Sequence, residues 1–152
     1  MLAVGEIAPT TEMATDTDPL SLAPHDGKKM VIFFFPRADT SGCTKESIQF
    51  SDLVGDFSAN GTEVIGISKD TPKKQAKFSA KYNLKFQLVA DHDTHICEKF
   101  GVWVKKSMYG RNYMGIQRAT FVIDANGKIA AVWPKVRVDG HAAEVLAFVK
   151  AM

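Results

Sequence analysis

Six apolar residues in a row, Met30-Val31-Ile32-Phe33-Phe34-Phe35, end abruptly at Pro36. A run this short and this apolar reads as a strand buried on both faces. Such a strand belongs in the middle of a sheet with layers packed above and below it. After Pro36 the segment Arg37 to Gly42 is polar and turn-like. Phe50, Leu53, Val54 and Phe57 then follow the i, i+3, i+4, i+7 spacing of a core-facing helix. Cys43 falls in the first turn of that helix, seven residues before Phe50 and on the same inward-looking side.

The rest of the chain supplies further strands and helices in alternation. Residues 1–28 read as loops with room for a short hairpin, closing at Asp26-Gly27. Asn60-Gly61 marks a turn, and Val64, Ile65 and Ile67 a second central strand. Thr71-Pro72 predicts a capped helix start with proline at the first helical position, and the helix should run to about Tyr82. Phe86–Ala90 reads as a short strand and Asp93–Phe100 as a helix ended by Gly101. Thr120–Ile123 and Ile129–Trp133 flank the hairpin signal Asp124-Ala125-Asn126-Gly127. A last helix spans about Gly140 to Ala151. This order predicts an α/β fold with a mixed central sheet flanked by helices, formed by one domain over residues 1–152.

Bulk properties narrow the function. Hydrophobic residues make up 45% of the chain, enough for a core that needs no metal or disulfide. The net charge of +2, with the two signs interspersed, argues against nucleic acid or a membrane surface as partner. No stretch reaches the length of a membrane span. The start MLAVGEIAPT lacks the features of a secretory signal, so a cytoplasmic location is expected. Only two cysteines occur, Cys43 and Cys97. In a reducing compartment such thiols are free, metal-bound or catalytic.

A thiol at a strand-to-helix junction has a chemical reading. The thiolate is the reactive form, and the free N–H groups and dipole of a helix start favour it. Gly42 allows close backbone approach, the Thr40 hydroxyl can bind a small oxygen-rich molecule, and Pro36 stiffens the entry to the loop. A fixed cation would complete the site, and arginine suits that role. Arg118, just before the strand at Thr120, is the candidate by position, with Arg37 and Arg111 as competitors.

Pro36, Thr40 and Cys43 match the Pro-x-x-x-Thr-x-x-Cys motif of peroxiredoxins. The run FFFPRADTSGCTKE resembles the bacterioferritin comigratory protein (PrxQ) branch, as do GISKDTP, FGVW and YMGIQRATFVID in the same order. The resemblance implies a thioredoxin-like fold and a thiol-dependent peroxidase without a cofactor. Cys43 would be the peroxidatic nucleophile, Thr40 and Arg118 the family's catalytic pair, and Pro36 the residue shielding the pocket. Glu46 matches a frequent family glutamate, which would orient an arginine or cap the helix.

The chain departs from the branch in one respect. Many members carry a resolving cysteine five residues after the first, where this chain has Ile48. The expectation is therefore a one-cysteine mechanism, in which thioredoxin, glutaredoxin or glutathione reduces the sulfenic acid. Cys97 as a resolver is the alternative, and it requires Cα atoms within ~7 Å. A general thiol–disulfide oxidoreductase would show Cys-x-x-Cys, which is missing here, and a non-enzymatic binding module would carry an inert Cys43. The resemblance to this branch also implies a monomer.

Several other features have plainer readings. Asp91, His92, Asp93, His95 and Cys97 could suggest a metal, but match no closed zinc spacing and read as an acidic helix start. His25 and His141 read as solvated surface residues. Trp103, Tyr109, Tyr113 and Trp133 read as core. Lys73, Lys74, Lys77 and Lys81 read as a solvated helix face.

Overall fold

The computed structural model describes residues 1–10, 12–21, 28–92 and 94–152. The expected turn at Asp26-Gly27, and His25 and Asp93, lie outside the described residues. Strands β1 (Glu12–Met13) and β2 (Leu20–Ser21) form a small antiparallel pair. The apolar run becomes β3 (Lys29–Phe34). It is followed by α1 (Ser41–Asp52), α2 (Val54–Ala59), β4 (Thr62–Ser68), α3 (Pro72–Tyr82) and β5 (Gln87–Ala90). The second half contains α4 (Ile96–Phe100), β6 (Trp103–Met108), β7 (Arg111–Ile116), β8 (Ala119–Ile123), β9 (Ile129–Trp133) and α5 (His141–Ala151).

The main sheet has the order β5-β4-β3-β8-β9. β3, β4 and β5 run parallel, whereas β8 and β9 are antiparallel additions on the other side of β3. The expected buried strand is thus the middle of a mixed sheet. Its side chains alternate between two cores, as the pleat requires. Val31, Phe33 and Phe35 join Cys43, Phe50, Phe57, Phe78 and Val145 on one face. Ile32 and Phe34 join Ile96, Cys97, Phe100 and Ile116 on the other.

Aromatic packing sets α1 on the sheet. Phe33 stacks on Phe50 with ring centroids 4.6 Å apart, and Phe86 meets Phe33 edge-on at 5.4 Å. Gly66 lies across from Phe33 in the β3–β4 register, where a Cβ would come within 2.7 Å of the Phe33 ring. The glycine therefore makes room for the ring that anchors α1, and with it Cys43 two turns earlier.

Several local expectations are modified. The helix expected through Phe50 and Phe57 is two helices broken at Leu53, with both phenylalanines still fully buried. Thr71 caps α3 by accepting from the Lys74 N–H, and the helix ends at Asn83 in the left-handed region. α4 begins at Ile96, and its start is satisfied by Asp91 rather than by a run of acids. The Asp91 carboxylate accepts from the N–H groups of Ile96 and Cys97 at 2.9 and 2.8 Å.

The β6–β7 hairpin was not expected. Its two-residue turn, Tyr109-Gly110, has positive φ at both positions (51° and 76°). Tyr109 is 99% exposed, and Tyr113 is also exposed, so neither belongs to the core. Trp103 and Trp133 are partly buried against the two cores. His141 is not a surface residue: it is 3% exposed, shares a 2.8 Å hydrogen bond between Nε2 and Thr120 Oγ1, and lies edge-on to Phe50 and Trp133. Burial holds its pKa below the usual histidine value, with Glu144 opposing and Arg118 adding to the effect. Among the described residues, no helix is long and apolar enough to cross a membrane.

Candidate active site

Cys43 is the third residue of α1, which begins just beyond the carboxyl end of β3. The first main-chain bond into the helix runs from the Thr44 N–H to the Thr40 carbonyl at 2.9 Å. The Ser41, Gly42 and Cys43 amides precede it and have no carbonyl one turn back. Thr40 does not cap them with its side chain. Its hydroxyl instead donates to the Arg37 carbonyl at 2.9 Å, bracing the loop. The loop is also tied at Ala38, whose N–H donates to Asp70 at 2.8 Å, and at Asp39, which sits at φ 62°. Pro36 lies half-buried where the loop leaves β3.

Arg118 stands at the same end of the sheet because β8 runs antiparallel to β3, pairing Ala119 with Phe34. The residue before Ala119 therefore meets the loop that follows Phe34. The Arg118 Nη2 donates to Cys43 Sγ at 3.2 Å, and Nη1 donates to Glu46 Oε1 at 2.7 Å. One planar guanidinium thus bridges the thiol and a carboxylate one turn further along α1. Gly42 has a specific part in this contact: a Cβ there would lie 3.3 Å from Arg118 Nη2. Its smallness makes room for the guanidinium. Arg37 and Arg111, the competing arginines, are both exposed.

The sulfur and the carboxylate that Arg118 bridges are both buried. Cys43 is 1% exposed, Glu46 is fully buried, and Glu46 Oε2 has no hydrogen-bond partner among the described residues. Burial and Arg118 pull Glu46 in opposite directions, and burial wins: its pKa is pushed up to about 7 despite the guanidinium. The unpartnered Oε2 accords with that cost. Arg118 stays cationic: the charges of Glu46 and Cys43 outweigh its own burial and hold its pKa above the usual value.

Lys106 is a neighbour that the pattern reading missed. Its stem packs over Gly115, where a Cβ would lie 3.1 Å from Lys106 Cδ. Burial and the charge of Arg118 lower its pKa, while Cys43 opposes them. Recognising the β6–β7 hairpin would have revealed it, since β7 leads directly to Arg118.

Cys97 occupies a different environment. It is fully buried in the core on the other face of the sheet. Burial, with the Asp91 charge beside it, pushes its thiol pKa up. Asp91, already engaged by the α4 amides, also accepts from the Thr94 hydroxyl at 2.8 Å and pairs with Lys69 at 3.4 Å. Among the described residues, no group of three or more His, Cys, Asp or Glu is placed to hold a metal ion.

Comparison with known proteins identifies the family. Residues 4–132 match the AhpC/TSA family. Peroxiredoxin Bcp of Bacillus subtilis is 38% identical, over 99% of this chain and 97% of that protein. Peroxiredoxin Bcp of Escherichia coli is 37% identical, over 98% and 96%. Peroxiredoxin Q of Xanthomonas campestris superposes with a TM-score of 0.88 at 37% identity, covering 93% of this chain and 90% of that one. These neighbours have the thioredoxin fold, as expected from the sequence. The chain belongs to the AhpC/TSA family, in the Bcp/PrxQ branch of the peroxiredoxins, and is a thiol-dependent peroxidase that takes electrons from thiol reductants.

Proposed function

We propose that Cys43 is the peroxidatic nucleophile of a one-cysteine peroxidase. The observation that carries this reading is the Arg118 bridge between Cys43 Sγ and Glu46. The Cys43 thiolate attacks one peroxide oxygen, forming an S–O bond as the O–O bond breaks. The departing oxygen leaves as water or alcohol after taking a proton, and Cys43 becomes a sulfenic acid. Arg118 and the first-turn amides are placed to meet negative charge developing on the peroxide oxygens. The Thr40 hydroxyl would join them by turning from the Arg37 carbonyl. Each such donor contributes about 3–4 kcal/mol, judged from oxyanion-hole deletions. Glu46 orients Arg118, Gly42 admits it, and Pro36 shields the pocket.

The one-cysteine step is supported by the placement of Cys97. The two thiols lie in cores on opposite faces of the sheet, so a direct disulfide requires one helix to leave its face. Cys97 is also held as a thiol by its surroundings, which makes it a poor nucleophile. An external thiol then reduces the sulfenic acid, with thioredoxin, glutaredoxin and glutathione as the candidate reductants. Hydrogen peroxide and organic hydroperoxides are the proposed substrates. Two free thiols suit a reducing cytoplasm. Residues 1–152 act as one domain, with both cores built on one central sheet, and a monomer is the state that the resemblance to the PrxQ branch implies.

Steady-state peroxide consumption tests this reading. Cys43→Ser should abolish turnover, while Cys97→Ser should retain it within about a factor of two, as expected for an inert buried thiol. Turnover retained without Cys43, or lost without Cys97, contradicts it.

A further inference from the structure

The loop before Cys43 forms one wall of a cleft, and α3 forms the other. The cleft has a volume of about 450 Å³ and is lined by Arg37 from the loop and Lys74, Lys77 and Lys81 from α3. The carboxylates beside them are already committed. Asp70 accepts from the Ala38 N–H and, at 2.6 Å, from the Ser68 hydroxyl. Asp39 accepts from Lys81 Nζ at 2.8 Å and from the Tyr82 hydroxyl at 2.6 Å. Arg37, Lys74 and Lys77 make no ion pair among the described residues. Four cations against two carboxylates therefore leave this concave surface, which Phe78 and Ala38 also line, with a net positive charge. A volume of this size suits a small molecule, and its charge suits carboxylates.

We propose that this cleft binds a small thiol bearing carboxylates, which reduces the Cys43 sulfenic acid. The inference rests on the one-cysteine reading above. The wall residues Arg37, Ala38 and Asp39 lead directly into Thr40 and α1, and Ala38 packs on the core that contains Cys43. Because Cys43 is only 1% exposed, a slender reagent reaches it more readily than a folded partner. The thiolate of the bound molecule attacks the Cys43 sulfur, an S–S bond forms, and the sulfenic oxygen leaves as water with a proton. A second molecule of thiol then displaces the Cys43 thiolate, and the small-molecule disulfide departs. Two thiols are oxidised and one sulfenic acid is reduced.

The test uses S-methylglutathione, which carries the carboxylates but cannot react, and the exposed double variant Lys74→Ala/Lys77→Ala. Calorimetric titration of the reduced wild-type protein should show binding that weakens about fivefold to tenfold in the variant, as removal of two exposed charge contacts implies. The KM for glutathione in peroxide turnover should rise by a similar factor. Turnover with 2-mercaptoethanol, which has no carboxylate, should stay unchanged. Failure of S-methylglutathione to bind, or equal binding by the variant, overturns the site. Weakened binding with no change in the glutathione KM, or an equal loss with 2-mercaptoethanol, overturns its role in reduction. A Cys43–Cys97 disulfide in peroxide-treated protein would instead sink the one-cysteine reading while leaving the titration result intact.

Discussion

The two cysteines make a controlled comparison within one molecule. Both are buried, both lie in the first turn of a helix, and both sit against the same central strand from opposite faces. Their neighbours differ in sign. Cys43 faces the Arg118 guanidinium, and its own N–H has no carbonyl one turn back. Cys97 faces the Asp91 carboxylate, which has already taken its N–H. On the proposed reading, a helix start does not by itself make a thiol reactive. What matters is whether its amides remain free and which charge the rest of the fold brings to the sulfur.

The largest way to break this comparison is to remove the cation. Arg118→Met should lower kcat/KM for peroxide by about 10²–10³-fold, the usual cost of one lost oxyanion-type donor. Arg118→Lys should recover only part of that, since an ammonium cannot bridge Sγ and Glu46 as a planar fork does. An unchanged rate in Arg118→Met would remove the distinction between the two thiols.

Glu46 gives a smaller, pH-dependent effect on stability. Its folded pKa of about 7 lies above the ordinary 4.5, so the folded protein holds a proton that the unfolded chain releases. The associated stabilisation is fully present below 4.5 and is lost as pH rises through 7. Urea unfolding of wild type and Glu46→Gln at pH 4.5 and 8 should show the wild type losing about 3 kcal/mol relative to the variant between the two. A constant difference would place an ionised Glu46 beside Arg118 throughout.

Gly42→Ala is subtler. Its methyl would press on Arg118 Nη2 at 3.3 Å and displace the guanidinium by a few tenths of an ångström. Peroxide reactivity should fall several-fold, since reaction rates are sensitive to such misplacement. Unfolding should shift little. An unaffected rate would mean that the fork tolerates displacement.

The parts of the fold that were legible in the sequence are those whose signal is local. The Met30–Phe35 run, the Thr71-Pro72 helix start and the Asp124–Gly127 turn each carry their own chemistry. The β6–β7 hairpin was hidden because most of its side chains are solvated and leave no alternation of burial to read. Its turn also places a tyrosine, an uncommon choice, at positive φ. The break at Leu53 escaped notice because Phe50 and Phe57 keep one face through it. His141 looked solvated beside Asp139 and Gly140, whereas Phe50 and Trp133, distant in sequence, bury it.

At the site, the position of Cys43 followed from the strand–loop–helix pattern. Arg118 was one of three candidates until the family motif and then the β3–β8 register singled it out. The bridge to Glu46 and the need for a small residue at Gly42 depend on side-chain distances that no linear pattern contains.

The most direct measurement is mass spectrometry of the reduced protein after one equivalent of hydrogen peroxide, with a sulfenic-acid trap present. The account predicts a trapped sulfenic acid on Cys43 and an unmodified thiol at Cys97. A Cys43–Cys97 disulfide within one chain, or a Cys43 left untouched, would contradict it.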